Sequence, residues 1–151
     1  MTAYSFLNYQ GAISGAGGSF SMGAEAGIAE GGVRTSMADD KDLATVGAGG
    51  QLMHTLRASN LGKVEVEVLK TSVLNQQLSQ MYNLQKQNPA VWGANVLTGS
   101  DVVRGDQFSM TQAAFMKFPD NAWDKDGKTI TWSFIGLLDE QLGAGVPDVN
   151  V

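Results

Sequence analysis

Cysteine is absent from this 151-residue sequence, which excludes a disulfide framework and a thiolate metal site and makes folding independent of redox state. Histidine occurs once, as His54. Any Ser-His-Asp or Cys-His constellation would have to be built on that residue, and no Gly-x-Ser-x-Gly elbow accompanies it. No apolar run approaches the length of about 18 residues that crosses a bilayer. The first residues, Met1 to Tyr9, have neither a basic head nor the apolar stretch of a signal peptide. The expectation is a chain with no cleaved export signal and no membrane anchoring, made in the cytoplasm. Basic residues are also scarce: 10 Lys and Arg stand against 15 Asp and Glu, for a net charge of −5. A protein that grips nucleic acid displaces counterions from phosphate with clustered cations, and these are scattered. Holding DNA is therefore excluded, whereas letting DNA pass is not.

What is present is a globular composition, 43% hydrophobic, with 19 glycines, nearly double the usual share of roughly 7%, so turns and ordered loops are abundant. The length suits one domain, residues 1–151, burying about two thirds of its unfolded surface. Tyr4 to Ile13 predicts a strand ended by the turn Gly15-Ala-Gly-Gly18, and Ser19 to Met22 a short partner. Residues 23–50 are rich in Gly and Ala. Because a structureless loop of that length is unusual in a compact domain, short strands are expected near Gly32 to Ala38 and Leu43 to Val46, within a protruding arm. Gln51 to Ala58 and Lys63 to Lys70 predict a hairpin joined at Ser59-Asn60-Leu61-Gly62. In the second strand Val64, Val66 and Val68 alternate with Lys63, Glu65 and Glu67, the mark of a half-exposed sheet.

One helix is predicted, at about 72–88, capped by Ser72 or Thr71 and stopped by Asn88-Pro89. Leu74, Leu78 and Met81, widened by Tyr82 and Leu84, make its apolar stripe. Its other face is rich in uncharged amides, among them Gln76, Gln80, Asn83 and Gln87, with Lys86 the one charge. That face suits either solvent or another chain. Strands are expected again at Asn95 to Thr98 and Gln107 to Phe118, and after the tight-turn signal Lys125-Asp-Gly-Lys128, where Ile130, Trp132 and Phe134 alternate with Thr129, Thr131 and Ser133. Gly143 to Val151 is expected to be an extended tail.

Candidate chemistry is thin. Gly15-Ala-Gly-Gly18 is followed by no Gly-Lys-Ser/Thr, so it does not make a phosphate loop. His54 shares an alternating face with Leu52 and Leu56, which favours a packed or interfacial imidazole over a base or a ligand. Asp124-Lys-Asp126-Gly127 lacks the calcium loop's other ligands, since Ala122 and Ser133 stand where acids belong. Asp39, Asp40 and Asp42 have no companion oxygen cluster in sequence. The expectation is no enzyme, no metal and no cofactor.

The order of blocks carries more information than any one of them: Tyr-Ser-Phe-Leu, a Gly-Ala-rich arm, Met37 to Lys41, Leu52 to Leu56, Leu69 to Tyr82 and Lys125 to Phe134. From Tyr4 to about Leu142 this order resembles the tail tube protein family of contractile-tailed bacteriophages. The resemblance implies a mainly β fold, an antiparallel β-barrel or sandwich of two packed sheets with one flanking helix. It implies six copies in a ring joined by sheet edges, and rings stacked into an inner tube. If each copy gave four strands, ~24 strands spaced ~4.8 Å and tilted ~40° would close a wall roughly 45 Å across, wide enough for duplex DNA. The implied partners are further copies of the chain, a contractile sheath protein, tape measure and baseplate or terminator proteins, and double-stranded DNA that passes without specific binding. The virion tail is the implied location.

Within that expectation the arm is the candidate ring-stacking contact, through Asp39, Asp40, Lys41 and Asp42 and through Gly47, Gly49 and Gly50, where the backbone can approach closely. Glu65 and Glu67 are the candidate wall charges, repelling phosphate. Gln76, Gln80, Asn83 and Gln87 are the candidate sheath-facing amides. Two other readings compete: the tube of a phage-tail-like bacteriocin or secretion system, and a β-sandwich module that binds a ligand or receptor through clustered exposed aromatics.

Overall fold

The computed structural model describes residues 4–23 and 27–143. After a 3-10 turn at Phe6–Asn8, capped by the Ser5 hydroxyl, come β1 (Tyr9–Gly15), β2 (Gly18–Ser21), β3 (Ile28–Met37), β4 (Asp42–Val46), β5 (Leu52–Leu56) and β6 (Leu61–Leu69). Then follow the helix α1 (Val73–Lys86) and β7 (Asn95–Asp101), β8 (Gln107–Phe115) and β9 (Thr129–Gln141). Seven strands form one antiparallel sheet in the order β2-β1-β7-β8-β9-β6-β3, and β4 with β5 forms a separate two-stranded ribbon. The large sheet does not close, for β2 and β3 remain its two edges, so the fold is sandwich-like and not a closed barrel.

Strand alternation decides which face is buried. On β6 the valines Val64, Val66 and Val68 point inward and Lys63, Glu65 and Glu67 outward, and on β9 Ile130, Trp132, Phe134 and Leu138 do the same against Thr129, Thr131 and Ser133. These side chains share one core with Ile13, Leu97, Met110 and Phe115 and with Leu74, Leu78 and Met81 of α1. Seven strands span about 29 Å between the outermost backbones, whereas a helix is only about 10–12 Å across with its side chains. One helix cannot cover such a sheet, so the sheet must curl over itself. Two contacts follow that curl: Gly32 of β3 comes near the Phe6 ring, and the Thr35 hydroxyl donates to Glu140 on β9 at 2.7 Å. The β8–β9 ladder is broken by a bulge between Thr111 and Ala114, where Gln112 takes φ 51°. Gly136 lies against it. A Cβ at that position would sit 2.8 Å from the Thr111 carbonyl oxygen, so only glycine fits.

The helix is held by amides as much as by its apolar stripe. Gln85 is fully buried and makes a reciprocal pair with buried Asn95, its Nε2 donating to Asn95 Oδ1 at 2.7 Å and its Oε1 accepting from Asn95 Nδ2 at 2.8 Å. Gln85 Nε2 also donates to the Ala16 carbonyl, tying α1 to β7 and to the β1–β2 turn. At the other end Asn75 accepts from Trp132 Nε1 at 3.0 Å and donates to the carbonyls of Leu69 and Lys70. Two helix amides thus serve the fold, while Gln76, Gln80, Asn83 and Gln87 are exposed. Leu84, expected in the apolar stripe, is exposed instead, because the 100° step of the helix puts Gln85 inward at that level. Burial pushes the Tyr9 hydroxyl up to about 12, and this hydroxyl has no protein partner among the described residues.

Several predicted elements differ. The expected hairpin of Gln51 to Ala58 with Lys63 to Lys70 does not form: β5 pairs with β4, and β6 pairs with β3 and β9. The valine face of β6 is covered only inside the large sheet, and that burial outweighs a local turn. The first strand begins at Tyr9, because Ser5 caps a turn over Phe6–Asn8. β8 stops at Phe115 and β9 runs on to Gln141, so residues 116–128 form a long loop and not a tight hairpin. The arm is shorter than residues 23–50, since β3 belongs to the large sheet and only residues 38–60 stand outside it. Beyond Gly143 the expected tail lies outside the described residues.

Candidate assembly surface

The β4–β5 ribbon buries nothing: every residue of both strands is exposed. Its register places Val46 opposite Leu52 and Asp42 opposite Leu56 on one face, and Leu43 opposite Thr55 and Thr45 opposite Met53 on the other. Leu56 is 81% exposed and Val46 66%, and Leu43, Leu52 and Met53 are also open, so large apolar side chains sit on both faces. A two-stranded hairpin is marginal in water on its own, and a ribbon apolar on both sides is suited to lie between other surfaces. Gly47 and Gly50 shape its tip, the Gly47 N–H donating to the Gln51 carbonyl and the Gly50 N–H to that of Gly47. Gly50 has φ 84°, which favours glycine, and nothing lies within 4 Å of a Cβ built at Gly49 or Gly50.

The charged knot lies at the base of this ribbon. Lys41 Nζ donates to the Ser59 carbonyl and to Asn60 Oδ1, and Asp39 accepts from the Ser59 hydroxyl, so the knot stitches the two legs together. Asp42 lies 2.8 Å from His54 Nδ1. His54 is exposed on the ribbon, so of the two expectations, packed or interfacial, the packed one does not hold within a single copy. Asp40 makes no hydrogen bond or ion pair among the described residues.

Glu65 and Glu67 lie on the outward face of β6, where their charges are offset. Lys63 Nζ stands 2.9 Å from Glu65, and Arg34 on β3 stands 3.2 Å from Glu65 and 3.8 Å from Glu67. Hydrogen bonds from Lys63 first and Arg34 second hold the Glu65 carboxyl below its usual value. That stretch of surface is neutral in sum. Farther along the sheet an open groove of about 1100 Å³ is lined by polar groups such as Gln10, Ser19, Thr98 and Ser109, by the acids Asp139 and Glu140, and by apolar side chains including Leu7 and Phe20.

The sequence reading missed Trp123. It is 87% exposed in the 116–128 loop, with Lys70 Nζ 4.9 Å from its ring centre and donating to the Ala122 carbonyl. Its signal was an aromatic among charges, Asn121-Ala-Trp-Asp-Lys-Asp, with no alternating apolar neighbours to bury it. No group of His, Asp or Glu among the described residues is placed to hold a metal ion, and no helix is long and apolar enough to cross a membrane.

Among the solved structures that share this fold, three belong to contractile injection systems or a related prophage particle. The sheath/tube terminator of the PVC extracellular contractile injection system aligns with a TM-score of 0.58 at 10% identity, covering 93% of this chain and 98% of that one. A chain of the PVC sheath–tube complex in its extended state gives 0.52 at 12% identity, covering 92% and 93%. The tube-terminating cap of the anti-feeding prophage gives 0.52 at 9%, covering 95% of each. At such identities the likeness is one of fold alone. No curated protein matches the sequence. The family model described as the Bacteriophage PhiTE tail tube protein matches residues 1–143, nearly the whole chain with its projecting ribbon, and the chain belongs to this tail tube family.

Proposed function

We propose that the chain builds the inner tube of a contractile tail: six copies join side by side through the open sheet edges β2 and β3, and rings stack through the β4–β5 ribbon. The observation that carries this reading is the ribbon itself, apolar on both faces and wholly exposed in a single copy of a tail tube protein. Open edges and an uncovered ribbon are the surfaces that an isolated domain leaves at risk of aggregation and that a ring and a stack would occupy. The chain is one domain throughout, made in the host cytoplasm and incorporated into the tail particle. Its partners are further copies, a sheath, a tape measure protein, and baseplate and terminator proteins.

The bore would carry double-stranded DNA without binding it. The outward faces of the sheet present hydroxyls, amides, the acids Asp139 and Glu140 and the offset pairs of Arg34 and Lys63 with Glu65 and Glu67, and among the described residues there is no cluster of cations on them that would hold phosphate. The exposed amides Gln76, Gln80, Asn83 and Gln87 suit a sheath that must let go on contraction, because neutral hydrogen bonds are individually weak. Sedimentation across a concentration series tests the reading. The expected result is a threshold above which the purified chain passes into very large particles; a monomer at every concentration, with or without a tail initiator complex, would sink it.

A further inference from the structure

We propose, resting on the tube reading, that the ribbon of one copy docks on the 116–128 loop of a second copy, head to tail, with Trp123 as the anchor. Strand register places the two surfaces at opposite ends of the fold. Met37 and Leu61, which flank the arm, lie at the end of the sheet shared with Leu137, and Gln107 pairs there with Gln141. Leu69 pairs with Thr129 and Phe115 with Phe134 at the other end, where the 116–128 loop emerges.

The ends also differ in charge. Asp39, Asp40 and Asp42 at the arm's base, with Asp139 and Glu140 on the last residues of β9, outweigh Lys41, Arg57 and Arg104. Among the described residues of the far end Lys70, Lys86, Lys117, Lys125 and Lys128 stand against Glu67, Asp120, Asp124 and Asp126. An arm-to-arm contact would set the acids of one copy against their own copies. A head-to-tail contact sets acids against lysines, and because it is heterologous it does not close on itself but repeats along an axis.

The receiving end is prepared for an apolar guest. The Trp123 ring is held out by Lys70, which stacks over it and hydrogen-bonds the neighbouring carbonyl, so little freedom is lost when a partner covers it. Leu69, Val73, Met116 and Phe118 are large exposed apolar residues of the same end. Such a site matches the ribbon's Val46, Leu52 and Leu56. Charges are free to pair as well. Lys125 has no hydrogen bond or ion pair among the described residues, and Lys117 reaches only Asp120, at 3.8 Å with both side chains open to solvent.

The test is a charge exchange in the full chain, read as the concentration at which pelletable polymer appears at low salt. Trp123→Ala is expected to raise that concentration tenfold or more while leaving the melting temperature of the monomer unchanged. Asp40→Lys, and separately Lys125→Glu, are each expected to raise it, and the two changes in one chain to recover most of the loss. If Trp123→Ala polymerises as the unaltered chain does while ribbon variants fail, the tube reading stands and this docking is wrong, the tryptophan then facing a sheath or another partner. Failure of the two changes together to recover assembly overturns the pairing of the two ends. An unaltered chain that never polymerises removes both readings together.

Discussion

Replacing Val46, Leu52 and Leu56 together with serine raises the concentration needed for self-assembly by at least about a hundredfold, because roughly 3 kcal/mol of apolar burial between copies is lost. Each of these side chains would contribute more than 1 kcal/mol if fully covered, of which only part survives the cost of association. The three share the ribbon face that carries His54, and none touches the core of its own chain, so the monomer should melt within about 2 °C of the unaltered protein. Pelleting assays beside a circular dichroism melt separate the two effects. An unchanged assembly threshold would show that the ribbon is a loose appendage; a melting temperature lowered by many degrees would show that it serves the fold.

The second large effect is on stability. Gln85→Ala should cost about 3–5 kcal/mol, since it strands both the amide nitrogen and the carbonyl oxygen of buried Asn95 and leaves a cavity beneath α1. Melting should fall by about 10 °C or more. The double change Gln85→Met with Asn95→Leu removes both partners and keeps the volume, and it should restore most of the loss, because only the part-buried Ala16 carbonyl is then left without its donor. Urea unfolding of the two single variants and the double reads the coupling directly. If Gln85→Ala proved mild, water would be reaching the pair and the helix would be held by its leucines alone.

That amide pair also marks where the sequence stops being legible. The alternation of Val64, Val66 and Val68 and of Ile130, Trp132 and Phe134 identified the core faces of β6 and β9, because period-2 burial is written residue by residue. The helix was equally plain, and of Ser72 and Thr71, both open as its cap in sequence, Ser72 is the one that caps it. Pairing was not. The β5 strand has a turn toward β6 and another toward β4, and only the competition of β3 and β9 for the valine strand decides between them. The amides of α1 looked uniform in sequence, yet Asn75 and Gln85 face inward and Gln76, Gln80, Asn83 and Gln87 outward, a division set by rotation around the helix and by partners far away in the chain. Of the candidate site, the acidic knot and the glycines of the arm were visible as composition. The two-sided apolar ribbon needed the β4–β5 register, and Trp123 needed the three-dimensional neighbourhood of Lys70.

The most direct test of the central claim is negative-stain electron microscopy of the purified chain above its assembly threshold, with end-on views averaged without imposed symmetry. Hollow tubes of uniform width, with six subunits around an open bore, are the predicted result. Monomers, solid fibres or closed dimers at every concentration would contradict it.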